Sequence, residues 1–114
     1  MNREIGDFIY DIVEAMESAL EFTAGMSFEE FSRDTKTVYA VIRAVEVIGE
    51  AAKHIPEDFR NRHPDIPWRS MAGMRDKVIH GYFRVKLERV WEVVQKDIPN
   101  LKPRFEAMLK EFPE

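Results

Sequence analysis

The chain has no cysteine among its 114 residues, which excludes disulfides and thiolate chemistry. No run of apolar residues approaches the roughly 18–20 needed to cross a bilayer. The first twenty residues carry acidic side chains throughout their apolar pattern, unlike the apolar core of a signal peptide. We therefore expect a soluble protein of the cytoplasm that has no membrane segment.

Several kinds of functional site are also missing from the sequence. Its five glycines form no phosphate-binding loop, and neither a G-x-S-x-G nor an H-E-x-x-H pattern occurs. The three histidines, His54, His63 and His80, have no spacing that indicates a shared metal. We predict no metal or cofactor, a helix-end role for His54 beside the last carbonyl groups, and a connector role for His63.

What the sequence does contain is helical periodicity. Apolar residues recur at helical spacing from Ile5 onwards, and Gly25 is placed to end this first helix. Ser27 with Glu30 forms a capping-box pattern, and Asp34 can cap the next helix. Gly49, inside the apolar stripe of that helix, predicts a close approach of a second helix.

The second half of the chain begins with a connector rich in proline, with room for one helical turn at residues 57–62. A helix is predicted from Pro67 through Val78, with Gly81 near its end, and Pro99 is expected to interrupt the helix that follows. No segment of useful length alternates with period two. We predict a single domain, residues 1–114, folded as an all-α, up-and-down bundle of four or five helices.

Charge is unevenly distributed along this acidic chain. The net charge is −4, yet residues 68–90 hold six basic side chains and only two acidic ones. This basic island, as we call residues 68–90, is either a solvated surface or a surface that binds phosphate.

Within the basic island, Arg75, His80 and Tyr82 could support chemistry on RNA. A histidine can act as general acid or base, an arginine can stabilise the charge on a phosphate, and RNA supplies its own 2′-hydroxyl nucleophile. On an ideal helix, however, Arg75 and His80 lie about 140° apart. Either the helix unwinds near Gly81, or the groups converge across a dimer interface.

A second polar group is less informative. Arg43, Glu46 and Glu50 share one face of the long helix that follows Asp34. A surface ion pair with a spare acid explains them, and this is the interpretation that the sequence favours. Alternatively, the acids orient a catalytic arginine or histidine from a neighbouring helix.

Three longer stretches carry a family resemblance: "EVIGEAAKHIP" at 46–56, "HPDIPWRSMAGMRDKVIHGYF" at 63–83 and "VWEVVQKDIPNLK" at 90–102. Together they resemble the HepT family of HEPN-type helical toxins. That family's Arg-x4–6-His pattern falls on Arg75 and His80, and its extension His-x-Tyr falls on His80, Gly81 and Tyr82.

The resemblance implies a metal-independent ribonuclease that acts as a homodimer, with the motifs of both subunits lining one cleft. It implies an MNT-type nucleotidyltransferase antitoxin as partner, which neutralises the toxin by adding AMP to Tyr82. It also allows a larger assembly of the homodimer with the antitoxin. A bulky anionic group at Tyr82 would block the RNA path.

Two alternatives stay open at this point. HEPN domains also serve as non-catalytic modules that bind a nucleotidyltransferase or a nucleotide. The chain could also be a helical dimer in which Arg75 and Tyr82 merely pair with Glu46 or Glu50.

Overall fold

The computed structural model describes residues 4–80 and 84–113, and for residues 77–80 and 84–85 it describes the backbone alone. Within these ranges the chain forms eight α-helices, one π-helical turn and one two-stranded ladder. They are α1 (Ile5–Thr23), α2 (Phe28–Arg33), α3 (Thr35–Lys53), α4 (Glu57–Arg62), α5 (Trp68–Ala72), α6 (Met74–Val78), β1 (Ile79–His80), β2 (Arg84–Val85), α7 (Leu87–Glu92), the π turn (Val93–Asp97) and α8 (Ile98–Leu109).

The junctions of the first three helices follow the predicted capping residues. Gly25 adopts a φ of 77° just after α1, a left-handed conformation that glycine adopts without strain. Ser27 accepts a hydrogen bond from the Glu30 N–H at 3.1 Å, and the Glu30 carboxylate accepts one from the Ser27 N–H at 2.9 Å. Asp34 caps α3 by accepting a hydrogen bond from the Thr37 N–H at 3.1 Å. These predictions are confirmed.

The long helices pack as a bundle around one apolar core. The start of α1 meets the ends of α3 and α8, since Phe8 stacks on His54 and Phe112 lies against Gly6. Helix α1 is therefore antiparallel to both. Fully buried side chains from all three helices fill the centre, among them Ile9, Ile12, Met16, Val41, Val45, Ile48 and Phe105. The predicted all-α bundle is confirmed.

The connector between α3 and α5 is more ordered than its prolines suggest. Helix α4 occupies the predicted turn at residues 57–62. Arg60 donates hydrogen bonds to the carbonyl oxygens of Ala52 at 2.7 Å and Ile55 at 2.9 Å, so it satisfies the carbonyl groups where α3 ends. His54 is the C-cap residue of α3, and its backbone N–H donates to the Ala51 and Ala52 carbonyl oxygens, as its predicted helix-end role requires. Arg60 adds a side-chain donor at Ala52.

Two helix boundaries differ from the predictions. The helix predicted from Pro67 through Val78 breaks at Gly73, which separates α5 from α6. Pro99 does not interrupt its helix, because the π turn directly precedes α8. There the Ile98 N–H donates to the Val93 carbonyl, five residues back. A widened turn tolerates a following residue that lacks an N–H.

Candidate functional site

Arg75 lies on α6, one residue into the short helix that follows the break at Gly73. The turn between α5 and α6 sits directly on Gly49 of α3. A side-chain carbon added at Gly49 would lie 3.3 Å from the Met71 carbonyl oxygen and 3.4 Å from that of Ala72. The close approach predicted from Gly49 is confirmed, and it brings Arg75 beside α3.

The Arg75 guanidinium is held loosely by two carboxylates. Its Nε lies 3.4 Å from Glu46 Oε2, and one Nη lies 3.5 Å from Asp76 Oδ1. Both distances exceed the usual range of about 2.7–3.2 Å for an N–H···O hydrogen bond. The Arg75 side chain is 54% exposed, whereas that of Glu46 is 31% exposed. Glu46 thus anchors one edge of the guanidinium while most of it faces solvent.

The backbone changes direction immediately after α6. The helix ends at Val78, and β1 pairs antiparallel with β2, with Ile79 opposite Val85 and His80 opposite Arg84. The angle of about 140° expected on a continuous helix therefore does not apply to Arg75 and His80. The helix ends before His80, earlier than the predicted unwinding near Gly81. Gly81 and Tyr82 lie outside the described residues, as does the His80 side chain.

The register of this ladder places Arg84 directly opposite His80. We did not single out Arg84 from the sequence, although it belongs to the basic island. Two paired residues on each side are too short for a period-two pattern, so no sequence signal marked the ladder. In an antiparallel pair, directly opposed residues are neighbours, which adds a second arginine position beside His80.

The three residues Arg43, Glu46 and Glu50 have different environments. Glu46 reaches across to Arg75, a contact that is expected both if Glu46 orients a catalytic arginine and if the two residues form a merely structural pair. Glu50 stays on its own helix, with its carboxylate 3.7 Å from His54 Nε2 and 4.0 Å from Lys53 Nζ. Arg43 lines a cavity between α1 and α3 together with Glu50.

The remaining histidines are not near Arg75 in the contacts that the structure gives. The His54 ring stacks on Phe8 with a centroid distance of 5.0 Å. His63 packs on Phe59 at 4.7 Å, and its Nε2 lies 3.2 Å from Glu111. His63 thus links the connector to the residues that follow α8. It lies in the connector, as predicted, and it also contacts a distant part of the chain.

The described residues also bear on metal binding and membrane insertion. Among the residues whose side chains are described, 4–76 and 86–113, no three histidine or acidic side chains are grouped so that they could hold a metal ion. Among the helices in that part of the chain, none is both long and apolar enough to cross a membrane.

The fold and the site together define a class: an all-α bundle in which a short helix carries an exposed arginine and is followed by a strand that ends in a histidine. Comparison with known proteins identifies the family. The model of the family described as ribonuclease HepT-like matches residues 12–108. The chain belongs to the HepT-like ribonuclease family.

Relatives match this chain along nearly its whole length. A protein of Thermococcus cleftensis named "Probable ribonuclease HepT" is 54% identical over 96% of this chain and 100% of its own. Two proteins of Methanocaldococcus jannaschii, "Putative RNase MJ0127" and "Putative RNase MJ1216", are 46% and 48% identical, each over 96% of this chain and 91% of its own. No solved structure matches.

Proposed function

We propose that this chain is a metal-independent RNA endonuclease, the toxin of a toxin–antitoxin pair, with Arg75 and His80 as its catalytic residues. The observation that carries the proposal is the placement of Arg75. The Arg75 side chain contacts Glu46 and is more than half exposed, and it lies four residues before β1, the strand that ends at His80. Membership of a family described as ribonucleases supports the same activity.

The chemistry needs only these groups and the RNA itself. His80 accepts the proton of the 2′-hydroxyl, and the 2′-oxygen then attacks the adjacent phosphorus. The bond from phosphorus to the 5′-oxygen breaks, and that oxygen takes up a proton. The products are a 2′,3′-cyclic phosphate and a 5′-hydroxyl. Arg75 stabilises the additional negative charge on the phosphate in the transition state.

Glu46 is proposed as a positioning residue for Arg75. It is the more buried partner of the pair, and the backbone contact at Gly49, three residues further along α3, fixes the distance between the two helices. The variant Glu46→Gln would remove the negative charge of this side chain and keep its size and shape. Arg43 and Glu50 support the site from the same face of α3.

Control of the enzyme is proposed to act through Tyr82. An MNT-type nucleotidyltransferase antitoxin would transfer AMP to the tyrosine oxygen. This would add bulk and negative charge beside Arg75 and His80. We further propose a homodimer in which the motifs of both subunits line one cleft, with larger assemblies when the antitoxin is bound. Gly81, without a side chain, would let RNA or a nucleotide approach the backbone.

Cleavage of RNA by the purified chain in the presence of EDTA tests the proposal. We expect Arg75→Ala to lower the rate by roughly 10²- to 10³-fold, and His80→Ala by roughly 10²- to 10⁴-fold. Arg89→Ala is the matched control, because Arg89 lies in the same basic island and is exposed, paired loosely with Glu92 at 3.6 Å. It should weaken RNA binding slightly and leave the rate at saturation unchanged.

The same variants separate the nuclease from the two alternatives. An exposed ion pair contributes only about 0–1 kcal/mol, so Arg75→Ala should leave the melting temperature nearly unchanged. A large drop in melting temperature with no RNA cleavage by the wild type would favour the merely structural pair. Absence of cleavage together with stable binding of a nucleotidyltransferase would favour the non-catalytic module.

A further inference from the structure

A cavity of about 450 Å³ opens between the start of α1 and the end of α3. Its volume falls within the range of about 300–1,000 Å³ that is typical of small-molecule sites. Val47 and Ala51 supply apolar surface to its wall, and Phe8 and His54 supply two rings. Every residue of the lining lies on α1, on α3 or at the end of α3, so the walls belong to the two helices that form the core of the bundle.

The outer face of the His54 ring offers a platform for a flat ligand, because Phe8 stacks on the opposite face of His54. The planes of Phe8 and His54 are within 10° of parallel, at a centroid distance of 5.0 Å. Phe8 is partly buried, whereas the His54 side chain is 55% exposed. Bases of single-stranded RNA stack on aromatic and histidine rings in this manner.

The polar side chains of the cavity can accept and donate hydrogen bonds, and this suits bases that carry an amino group. The carboxylates of Asp11 and Glu50 line it, and a carboxylate accepts hydrogen bonds from the amino group of a base. Arg43 lines it as well, and no hydrogen bond or ion pair joins its guanidinium to another residue in the described part of the chain. That guanidinium can donate to a phosphate or to a base edge. Uracil lacks an amino group, whereas cytosine, adenine and guanine carry one.

The cavity and the residue that contacts the proposed catalytic arginine share one helix, α3. Glu46, which contacts Arg75, lies on α3 three residues after Arg43 and four residues before Glu50. These spacings correspond to rises of about 4.5 Å and 6 Å along the helix. An RNA strand with a phosphate at Arg75 therefore has a neighbouring nucleotide within reach of the cavity.

We propose that this cavity is a nucleobase subsite that takes an amino-bearing base of the RNA near the scissile phosphate and sets the base preference of cleavage. The proposal rests on the proposed nuclease function. The base stacks on the His54 ring, which Phe8 supports from behind; Glu50 accepts from the amino group of the base, and Arg43 binds the adjoining phosphate.

Binding of mononucleotides to the full chain tests the subsite without relying on cleavage. Cytidine and uridine monophosphates are the probes, since their bases differ only along one edge, where cytosine has an amino group beside an N3 acceptor and uracil has a carbonyl oxygen beside an N3–H. We expect cytidine monophosphate to bind at least 10-fold tighter by calorimetry, and His54→Ala and Arg43→Ala each to weaken it at least 5-fold. Glu57→Ala, an exposed carboxylate on α4, should change nothing.

Cleavage of RNA oligonucleotides that carry cytosine or uracil at one position next to the cut provides the second measurement. The wild type should prefer cytosine, and Glu50→Gln should reduce this preference at least 3-fold, because an amide can also donate to the uracil oxygen. Equal binding of the two mononucleotides, or no binding of either, would overturn the subsite even if RNA is cut. Selective mononucleotide binding without any RNA cleavage would keep the subsite and overturn the nuclease.

Discussion

At the scale of single residues, Gly49 determines where Arg75 can stand. It is buried in the middle of α3, a position at which glycine costs about 1 kcal/mol in helix propensity relative to alanine. The Met71 and Ala72 carbonyl oxygens occupy the space that a side chain would need. The fold accepts the weaker helix former because it allows the turn that carries Arg75 to rest on α3.

We predict that Gly49→Val pushes this turn away from α3 and lowers both stability and RNA cleavage. Overpacking of this kind costs about 1–3 kcal/mol, and the displaced Arg75 should lose its contact with Glu46. Gly49→Ala is less informative, since its gain in helix propensity offsets part of the strain. Urea unfolding and the cleavage rate of the folded variant are the measurements.

Gly73→Ala serves as the control for Gly49→Val. A side-chain carbon at Gly73 would meet its nearest neighbour, the Arg69 carbonyl oxygen, at 3.6 Å, an ordinary contact distance. The free energy of unfolding should change by no more than about 0.5 kcal/mol. Equal losses in the two variants would mean that the close approach at Gly49 has no special role.

At the scale of elements, Asp34 joins α2 to α3 as the last cap of one and the first cap of the other. Hydrogen bonds from Thr37, chiefly from its backbone N–H, lower the pKa of Asp34 below its ordinary value, and the nearby Lys36 charge adds to this. Folding therefore favours the charged carboxylate. This contribution to stability is fully present above the ordinary carboxyl pKa and is lost as the pH falls through the lowered one.

Asp34→Asn should reveal this contribution. Asparagine can accept the same hydrogen bond but does not titrate, so the wild type should melt at a higher temperature near neutral pH. The gap should close as the pH falls through the acidic range. Asp97→Asn is the control, because Asp97 precedes α8 without a side-chain capping bond. A gap for Asp34→Asn that stays constant down to low pH would contradict the prediction.

The elements that could be predicted from the sequence are those governed by local chemistry. The caps at Ser27 and Asp34 and the left-handed Gly25 each depend on residues within one turn of the chain. The break at Gly73 was not predicted, and α6 ends at Val78, three residues before the Gly81 that was expected near the end of the helix. They depend on how this segment packs on α3 and pairs with β2, contacts between residues distant in sequence.

The candidate site likewise has a part that the sequence could predict and a part that depends on tertiary packing. The residue types and their order indicated Arg75 and His80, and Gly49 indicated the close helix approach. The sequence could not choose which acid would contact Arg75, because Glu46 and Glu50 lie one turn apart on the same face. The packing of α6 on α3 selects Glu46, while Glu50 faces His54 and Lys53. The pairing of Arg84 with His80 required the ladder register.

At the scale of the whole molecule, the start of α1 and the residues after α8 are held together, since Phe112 lies against Gly6. Phe112 packs on Phe59 with a centroid distance of 5.7 Å, and His63 lies 3.2 Å from Glu111. Trp68 packs edge-on against Phe105 at 5.6 Å. This aromatic cluster ties the connector and the end of α8 to the start of α1. Trp68, the first residue of the basic island, belongs to this cluster, whereas the Arg75 side chain contacts Glu46 and Asp76.

We predict that a nucleotidyltransferase antitoxin modifies one particular tyrosine of the chain, Tyr82. The chain has three tyrosines, of which Tyr10 and Tyr39 are 53% and 72% exposed. If exposure alone decided the acceptor, these two would be modified. If the motif decides, a nucleotidyltransferase that recognises the site should transfer AMP from ATP to the Tyr82 oxygen and release pyrophosphate.

Co-expression of the chain with such a nucleotidyltransferase, followed by intact and peptide mass measurement, decides between these outcomes. We expect adenylyl groups on the Tyr82 peptide, loss of RNA cleavage and relief of growth arrest. Tyr82→Phe should remain unmodified and should not be rescued, whereas Tyr39→Phe, the matched control, should be modified and silenced like the wild type. Adenylyl groups on Tyr10 or Tyr39 with cleavage unaffected would show that Tyr82 is not the control point, because charge placed away from Arg75 and His80 cannot block the path of the RNA.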